Sequence, residues 1–306
     1  MRKVSAIIFA ASLITFSTAS ATEPFSVFAC EPEWKALVEE IGGSNVKVYS
    51  ATTGMQDPHH VEARPSLIAK ARSADMVVCT GGELEIGWLP VVQRRSGNSK
   101  IQGASDALFF VSDFVDRLEI PDSVDRADGD VHAAGNPHVH LDPYRLLEIS
   151  GHLATRIKQL DPSNAKNYEK RWQEFESKWL EAISEWERQT SNLVGTRVMV
   201  HHRSWSYLLD WLNWHSVAEL EPLPGSPPTT SHLASLLEVE QRERPKAILI
   251  ATYQNPRGAK WMSERTSLPI VSLPFTIGGS EDAGDLYSLF DGIISRFENT
   301  VLESAQ

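Results

Sequence analysis

Basic residues are in short supply in this 306-residue chain, 29 Lys and Arg against 40 Asp and Glu. That shortage argues against nucleic acid as a partner. Acidity mildly favours cations, although its plainer meaning is solubility. Long apolar runs are missing too: nothing after residue 21 could cross a bilayer as a helix. Cysteine is reduced to Cys30 and Cys79, each closing an apolar run that reads as a strand. If those strands are neighbours in one parallel sheet, their ends lie side by side and a Cys30–Cys79 disulfide can form in an oxidising compartment. Two buried thiols, or a cysteine that ligates metal, are the alternatives. There is no His-Glu-x-x-His stretch, which removes the usual helix of a zinc protease.

What is present begins with an export signal. Met1-Arg2-Lys3 is a positive start, residues 4–16 are mostly apolar, and Ala19-Ser20-Ala21 has the pattern of a cleavage site. The mature protein is expected to start at Thr22, to carry no lipid anchor because no Cys follows the cleavage point, and to be soluble outside the cytoplasm. Loss of Arg2 and Lys3 leaves 27 basic against 40 acidic residues, a formal charge of −13 over 285 residues. That length suggests two domains.

Short apolar runs alternate with helical patterns in both halves. Strands are expected over 25–29, 46–51, 76–79 and 107–111, and again over 197–200, 217–220, 247–251 and 270–273; helices over 33–41, 65–73, 232–242 and 285–300. Alternation of this kind implies parallel sheets covered on both faces. Between the halves, Tyr168, Trp172, Phe175, Trp179, Ile183 and Trp186 recur at steps of three and four, which places them on one face of a single long helix. The expected organisation is a signal peptide over 1–21, an N-terminal α/β domain over 22–160, a rigid spine helix over 161–192 and a C-terminal α/β domain over 193–306.

The chemistry-bearing residues are histidines in pairs: His59-His60 after Asp57-Pro58, His138 and His140 after Asn136-Pro137, and His201-His202 at the end of a strand. Neutral imidazole keeps a free lone pair and is the commonest metal ligand. His59, His138, His202 and also Asp285 fall beyond the C-terminal ends of expected parallel strands, the ligand-binding edge of open α/β sheets. Each pair offers a choice, and consecutive strand residues such as His201 and His202 point opposite ways. Asp285 reads equally well as the N-cap of the last helix. His132, in an acidic loop, reads as solvated, with transient metal capture as the alternative.

These residues resemble a family. Gly54-Met55-Gln56-Asp57-Pro58-His59, Asn136-Pro137-His138-Val139-His140-Leu141-Asp142-Pro143, His202-Arg203-Ser204-Trp205 with Glu221-Pro222-Leu223-Pro224-Gly225, and Gly284-Asp285-Leu286-Tyr287 are similar, in order, to the four ligand loops of the zinc- and manganese-specific substrate-binding proteins of ABC importers (cluster A-I, or cluster 9). The resemblance implies two α/β domains joined by one long rigid helix. It implies ligands His59, His138, His202 and Asp285, with His60, His140 and His201 as alternates or supports. It also implies no enzymatic activity. Manganese-favouring members carry an acid at the position of His202, so the cofactor expected is Zn(II), since nitrogen ligands favour zinc and oxygen ligands manganese. The function that follows is capture of zinc in the periplasm by a monomer and delivery to an inner-membrane ABC permease. A periplasmic metallochaperone is a second candidate partner. The spine predicts rearrangement of loops rather than wide domain opening. Three other readings are a manganese-binding relative, a secreted zinc hydrolase, and a haem or siderophore binder in which the histidines are incidental.

Overall fold

Eight apolar runs of three to five residues become the strands of two parallel sheets in the computed structural model, which describes residues 23–123 and 129–304. The expected signal peptide and its cleavage site lie outside the described residues. The first sheet comprises β1 (Phe25–Ala29), β2 (Val46–Ser50), β3 (Met76–Cys79) and β4 (Leu108–Phe110), in the order β2-β1-β3-β4. The second comprises β5 (Arg197–Val200), β6 (His215–Glu219), β7 (Ile248–Ala251) and β8 (Ile270–Leu273), in the order β6-β5-β7-β8. Every pairing is parallel. The inner strands β3 and β7 are buried at every position, as sheets covered on both faces require. β6 starts two residues earlier than its apolar run, because an edge strand tolerates the exposed His215 and Ser216.

The connecting helices are α1 (Pro32–Gly42), α2 (Pro65–Arg72), α3 (Leu89–Ser96), α4 (Pro143–Leu160), α5 (Ala165–Thr190), α6 (Ser206–Leu212), α7 (Thr230–Glu243), α8 (Arg257–Thr266) and α9 (Leu286–Ser304). Four of them, α3, α4, α6 and α8, were not expected. The start of α4 is the plainest: Asp142 accepts from the N–H groups of Tyr144 (2.8 Å) and Arg145 (3.1 Å), and Pro143 occupies the first turn. None of the helices among the described residues is long and apolar enough to cross a membrane.

The spine is α5, 26 residues and about 39 Å long at 1.5 Å per residue. Its apolar stripe faces inward, and its indoles are pinned on both sides. Trp172 Nε1 donates to Ser150 Oγ (3.1 Å) and Trp179 Nε1 to the Pro143 carbonyl (2.8 Å), both on α4; Trp186 Nε1 donates to Asp291 Oδ1 on α9 (2.7 Å). Trp186 also stacks on Phe290 with centroids 4.8 Å apart. The buried residues around this helix form one contiguous apolar cluster, from Val27 and Val78 of the first sheet to Val198 and Leu249 of the second. Cys30 and Cys79 sit at the ends of the neighbouring strands β1 and β3 and are disulfide-bonded, with Cα atoms 4.8 Å apart.

Candidate metal centre

Three ligand loops converge beyond the C-terminal ends of β2, β4 and β5, and each is held by its own neighbours. After β2, Asp57 Oδ1 accepts from the backbone N–H of His59 (3.0 Å) and lies 2.8 Å from its Nδ1. Asp57 is thereby held below the usual carboxylate range: burial would raise it, but the hydrogen bonds from His59 prevail. This loop butts against the backbone after β8, where a Cβ on Gly54 would stand 2.3 Å from Gly279 N, so only glycine fits. After β4, Asn136 Oδ1 accepts from His138 N (3.0 Å), while its Nδ2 donates to the Arg203 carbonyl (2.8 Å). Tyr207 of α6 donates to the Asn136 carbonyl (2.6 Å). After β5, His202 Nδ1 meets Glu221 Oε2 at 2.7 Å, and Gly225 N donates to the same oxygen (2.8 Å).

The outcome is a cluster of imidazoles. His59, His138 and His202 offer ligand atoms all within 4.8 Å of one another, with ring centroids 5.4 to 6.0 Å apart. Hydrogen bonding of Nδ1 to a carboxylate leaves Nε2 of His59 and of His202 as the free lone pair, the carboxylate–histidine arrangement that orients metal ligands. Burial, then the neighbouring His59 and His202, hold His138 well below the usual imidazole range. The ring therefore stays neutral and able to ligate where an ordinary histidine would protonate.

The alternates separate cleanly. His60 is exposed, its Nε2 3.8 Å from Asp130 Oδ2. His140 turns into the core, with Nε2 3.0 Å from the Phe275 carbonyl and Nδ1 3.4 Å from Glu33 Oε1. His201 points to the other oxygen of Glu221, at 3.5 Å. Asp285, expected to close the shell, is not brought to the histidines. It is exposed at the start of α9, where its Oδ1 accepts from Ser288 N (2.7 Å) and Ser288 Oγ (2.6 Å). Its carboxylate caps a helix, the competing role for an acid at that position.

Two residues beyond the expected ligands stand here: Glu221, which the sequence offered only as part of the third loop's motif, and His132, expected to be solvated with transient metal capture as the alternative. Glu221 supports both His201 and His202. Burial would raise its carboxyl, but hydrogen bonds from His201, His202 and Gly225, together with the charge of His202, bring it down to about 2. Its position after β6, at the same sheet edge as the histidines, was the available signal. The other is His132, whose Nε2 lies 3.3 Å from His59 Nε2.

Below the cluster lies a buried acidic layer. The Thr276 hydroxyl donates to Glu33 Oε2. Glu85 accepts from Thr80 N (2.7 Å) and Gly81 N (3.0 Å), and Glu31 accepts from Thr80 Oγ1 (3.1 Å). Glu31 and Glu85 lie close enough for their ionisations to be linked. Burial, then the charges of Glu85 and Glu33, raise Glu31 well above 4.5; burial pushes Glu85 up to about 7. An acid whose folded pKa exceeds its unfolded value stabilises the fold at low pH and withdraws that support as pH climbs through the folded value. For Glu85 that window runs from 4.5 to about 7, a loss on the order of 3 kcal/mol at 1.36 kcal/mol per pH unit, and Glu31 shifts in the same direction. Glu31→Gln keeps an acceptor for the Thr80 hydroxyl and removes the ionisation. In thermal unfolding of the metal-free protein, the variant should melt several degrees above the parent at pH 8 and close to it at pH 5. An identical pH profile for both would show that ionisation of Glu31 does not set this pH dependence.

A cavity of about 610 Å³ opens beside the cluster, lined among others by Asp57, His59, His202, Glu221, Tyr253 and Arg257. It is the approach by which a cation could reach the rings, with three acidic or imidazole-bearing loops at its mouth.

Residues 27–299 match the family described as zinc-uptake complex component A, periplasmic. The chain is 23% identical over 275 residues to the metal ABC transporter substrate-binding lipoprotein ScbA of Streptococcus cristatus, covering 89% of this chain and 86% of that one. It is 23% identical over 288 residues to the manganese ABC transporter substrate-binding lipoprotein PsaA of Streptococcus pneumoniae, covering 93% and 91%. Its fold matches a crystal structure of ZnuA at a TM-score of 0.77, with 20% identity, covering 91% of this chain and 99% of that one. It also matches a Cd-bound periplasmic metal-binding protein from Candidatus Liberibacter asiaticus at 0.74, with 18% identity over 90% and 99%. Three convergent loops, two parallel sheets and a single long helix between them agree with these matches along nearly the whole chain, and the protein belongs to the zinc-uptake component A family of periplasmic metal-binding proteins of ABC importers.

Proposed function

We propose that this protein captures Zn(II) through His59, His138 and His202 and hands it to an inner-membrane ABC permease after export to the periplasm. Members of its family are substrate-binding components of importers rather than enzymes, which supports a membrane permease as the partner. The observation that carries the metal choice is the donor set. Three imidazoles converge, and the nearest carboxylates, Asp57 and Glu221, are spent on their far nitrogens. Nitrogen donors favour zinc over manganese, both by ligand type and by the Irving–Williams order. Zinc is cargo here, so the site needs affinity and a way of release rather than an open position for water. The manganese reading has one observation behind it, the similarity to manganese ABC transporter lipoproteins such as PsaA.

Competition decides between them. The demetallated protein, titrated with Zn(II) and Mn(II) against chelators, should hold one zinc at least about 100-fold more tightly than manganese. Equal or tighter manganese binding would overturn the zinc assignment. Absence of any bound divalent metal would overturn the site.

A further inference from the structure

We propose that Cys30, Cys79 and Glu85 form a second zinc site, made of none of the histidines, which exists only while the Cys30–Cys79 bond is reduced. The disulfide and the metal are then alternative occupants of one buried corner of the first sheet. The redox state of the pair sets how many zinc ions the chain holds.

The corner is built by the ends of two neighbouring strands. Cys30 follows β1, Cys79 ends β3, and the Cys30 N–H donates to the Val78 carbonyl (2.9 Å). Beyond Cys79 the chain doubles back at Gly81, whose φ of +76° and whose approach to Phe110, 2.8 Å from a would-be Cβ, suit glycine alone. That turn aims the N–H groups of Thr80 (2.7 Å) and Gly81 (3.0 Å) at the Glu85 carboxylate. A Glu85 oxygen and the two sulfurs therefore lie within 4.8 Å of one another, on three buried residues. With Zn–S bonds of about 2.3 Å and Zn–O bonds of about 2.0–2.2 Å, ligand atoms of a tetrahedral shell stand about 3.6–3.8 Å apart. Sulfurs freed from each other can take up that spacing by side-chain rotation.

The surroundings favour a cation. Glu31, next to Cys30, accepts from Thr80 Oγ1 through Oε2 (3.1 Å), while its buried Oε1 has no hydrogen-bond partner among the described residues. A metal ion would supply one, and Glu31 is the available fourth donor. Burial pushes Glu85 up to about 7, so the corner disfavours bare negative charge, which a divalent cation relieves. Thiolates select zinc over manganese or calcium. The chemistry balances. A dithiol reductant gives two electrons and two protons, closes to its own disulfide, and leaves Cys30 and Cys79 as thiols. Zinc then displaces both thiol protons, and a third where Glu85 carries one. Exchange with an oxidised dithiol re-forms the S–S bond and expels the ion.

The mature chain, unfolded, reduced with a water-soluble phosphine and refolded without oxygen, should hold two zinc ions where the oxidised chain holds one. Loaded with Co(II), the reduced chain should add sulfur-to-cobalt charge-transfer bands in the near ultraviolet, which histidine ligands cannot give. The oxidised chain, and Cys30→Ser with Cys79→Ser, should lack them. Glu85→Gln should keep the bands but bind the second ion more weakly, by more than the roughly 10–100-fold that losing an outer partner costs. His202→Ala should lose the first ion and keep the sulfur bands, so failure of the histidine site does not carry this one with it. A reduced chain that refolds, holds one zinc and shows no sulfur bands would overturn the proposal. Unchanged affinity for the second ion in Glu85→Gln would do so too. Should the reduced chain not refold alone, excess zinc should restore its far-ultraviolet circular dichroism with two ions bound; no recovery, or recovery with one ion, would overturn it equally.

Discussion

His202→Ala should lower zinc affinity by at least about 1,000-fold while leaving the fold intact. The substitution removes one ligand and does further damage behind it. Glu221 is 11% exposed at its side chain and is paired with His202 at 2.7 Å. Without that partner it retains only His201, at 3.5 Å, and the Gly225 N–H. Leaving a mostly buried charge short of its partner costs about 3–5 kcal/mol, and each 1.4 kcal/mol is tenfold in affinity. Where that cost falls on the metal-free state the fold will soften; where it falls on the loaded state, binding will suffer. Chelator competition, with far-ultraviolet circular dichroism as the control, separates the two. Glu221→Gln offers a graded companion. It keeps an acceptor for His202 Nδ1 but removes the negative charge that strengthens the ring as a donor, and about 10–100-fold in affinity should be lost. If His202→Ala binds zinc as the parent does, the third loop does not supply a ligand.

Replacing both cysteines, Cys30→Ser with Cys79→Ser, should cost about 4 kcal/mol of stability by the loop-closure argument. The closed loop spans 49 residues, and both cysteines are wholly buried, so the serine hydroxyls add a desolvation penalty to the lost constraint. At about 2–4 °C per kcal/mol for a chain of this size, the melting temperature should fall by roughly 10 °C. Zinc affinity should change little, because neither cysteine touches the imidazoles. Thermal unfolding of the double variant, followed in the metal-free and zinc-loaded forms, checks both parts. A melting temperature within a degree or two of the parent's would show that strand pairing alone holds β1 beside β3.

The architecture was readable where periodicity was strong. The tryptophan stripe of α5 ran uninterrupted through 26 residues, and the inner strands were continuous apolar runs. Helices α3, α6 and α8 escaped notice because they are short, at 8, 7 and 10 residues, and their apolar positions are too few to set a period. The 18-residue α4 was hidden for another reason. Its start, Asp142-Pro143, adjoins the His138 loop, so the same residues read equally as the end of a ligand loop and as a cap with its proline. The same competition explains Asp285. An acid before a final helix can cap it or bind metal, and the backbone N–H groups of that first turn are the nearer claimants. His132 was illegible because its neighbours are polar and acidic; nothing local distinguishes a solvated loop from one folded back over a cavity. Only the contacts with Pro224 and Glu83, some ninety residues downstream and fifty upstream, bring it in.

Receptors that close like a jaw announce their cargo by changing outline, and a membrane partner can sense that change across a broad face. This protein has apolar packing running from one sheet to the other through α5, and separating the sheets would have to break that packing. A change on loading confined to the loops around the histidines would then be what a permease reads. Among the described residues, Met55, Ile120 and Leu223 stand exposed on those loops, at 57%, 63% and 44%. A receptor of this build trades amplitude of motion for rigidity, and its loaded state is a local message a few residues wide.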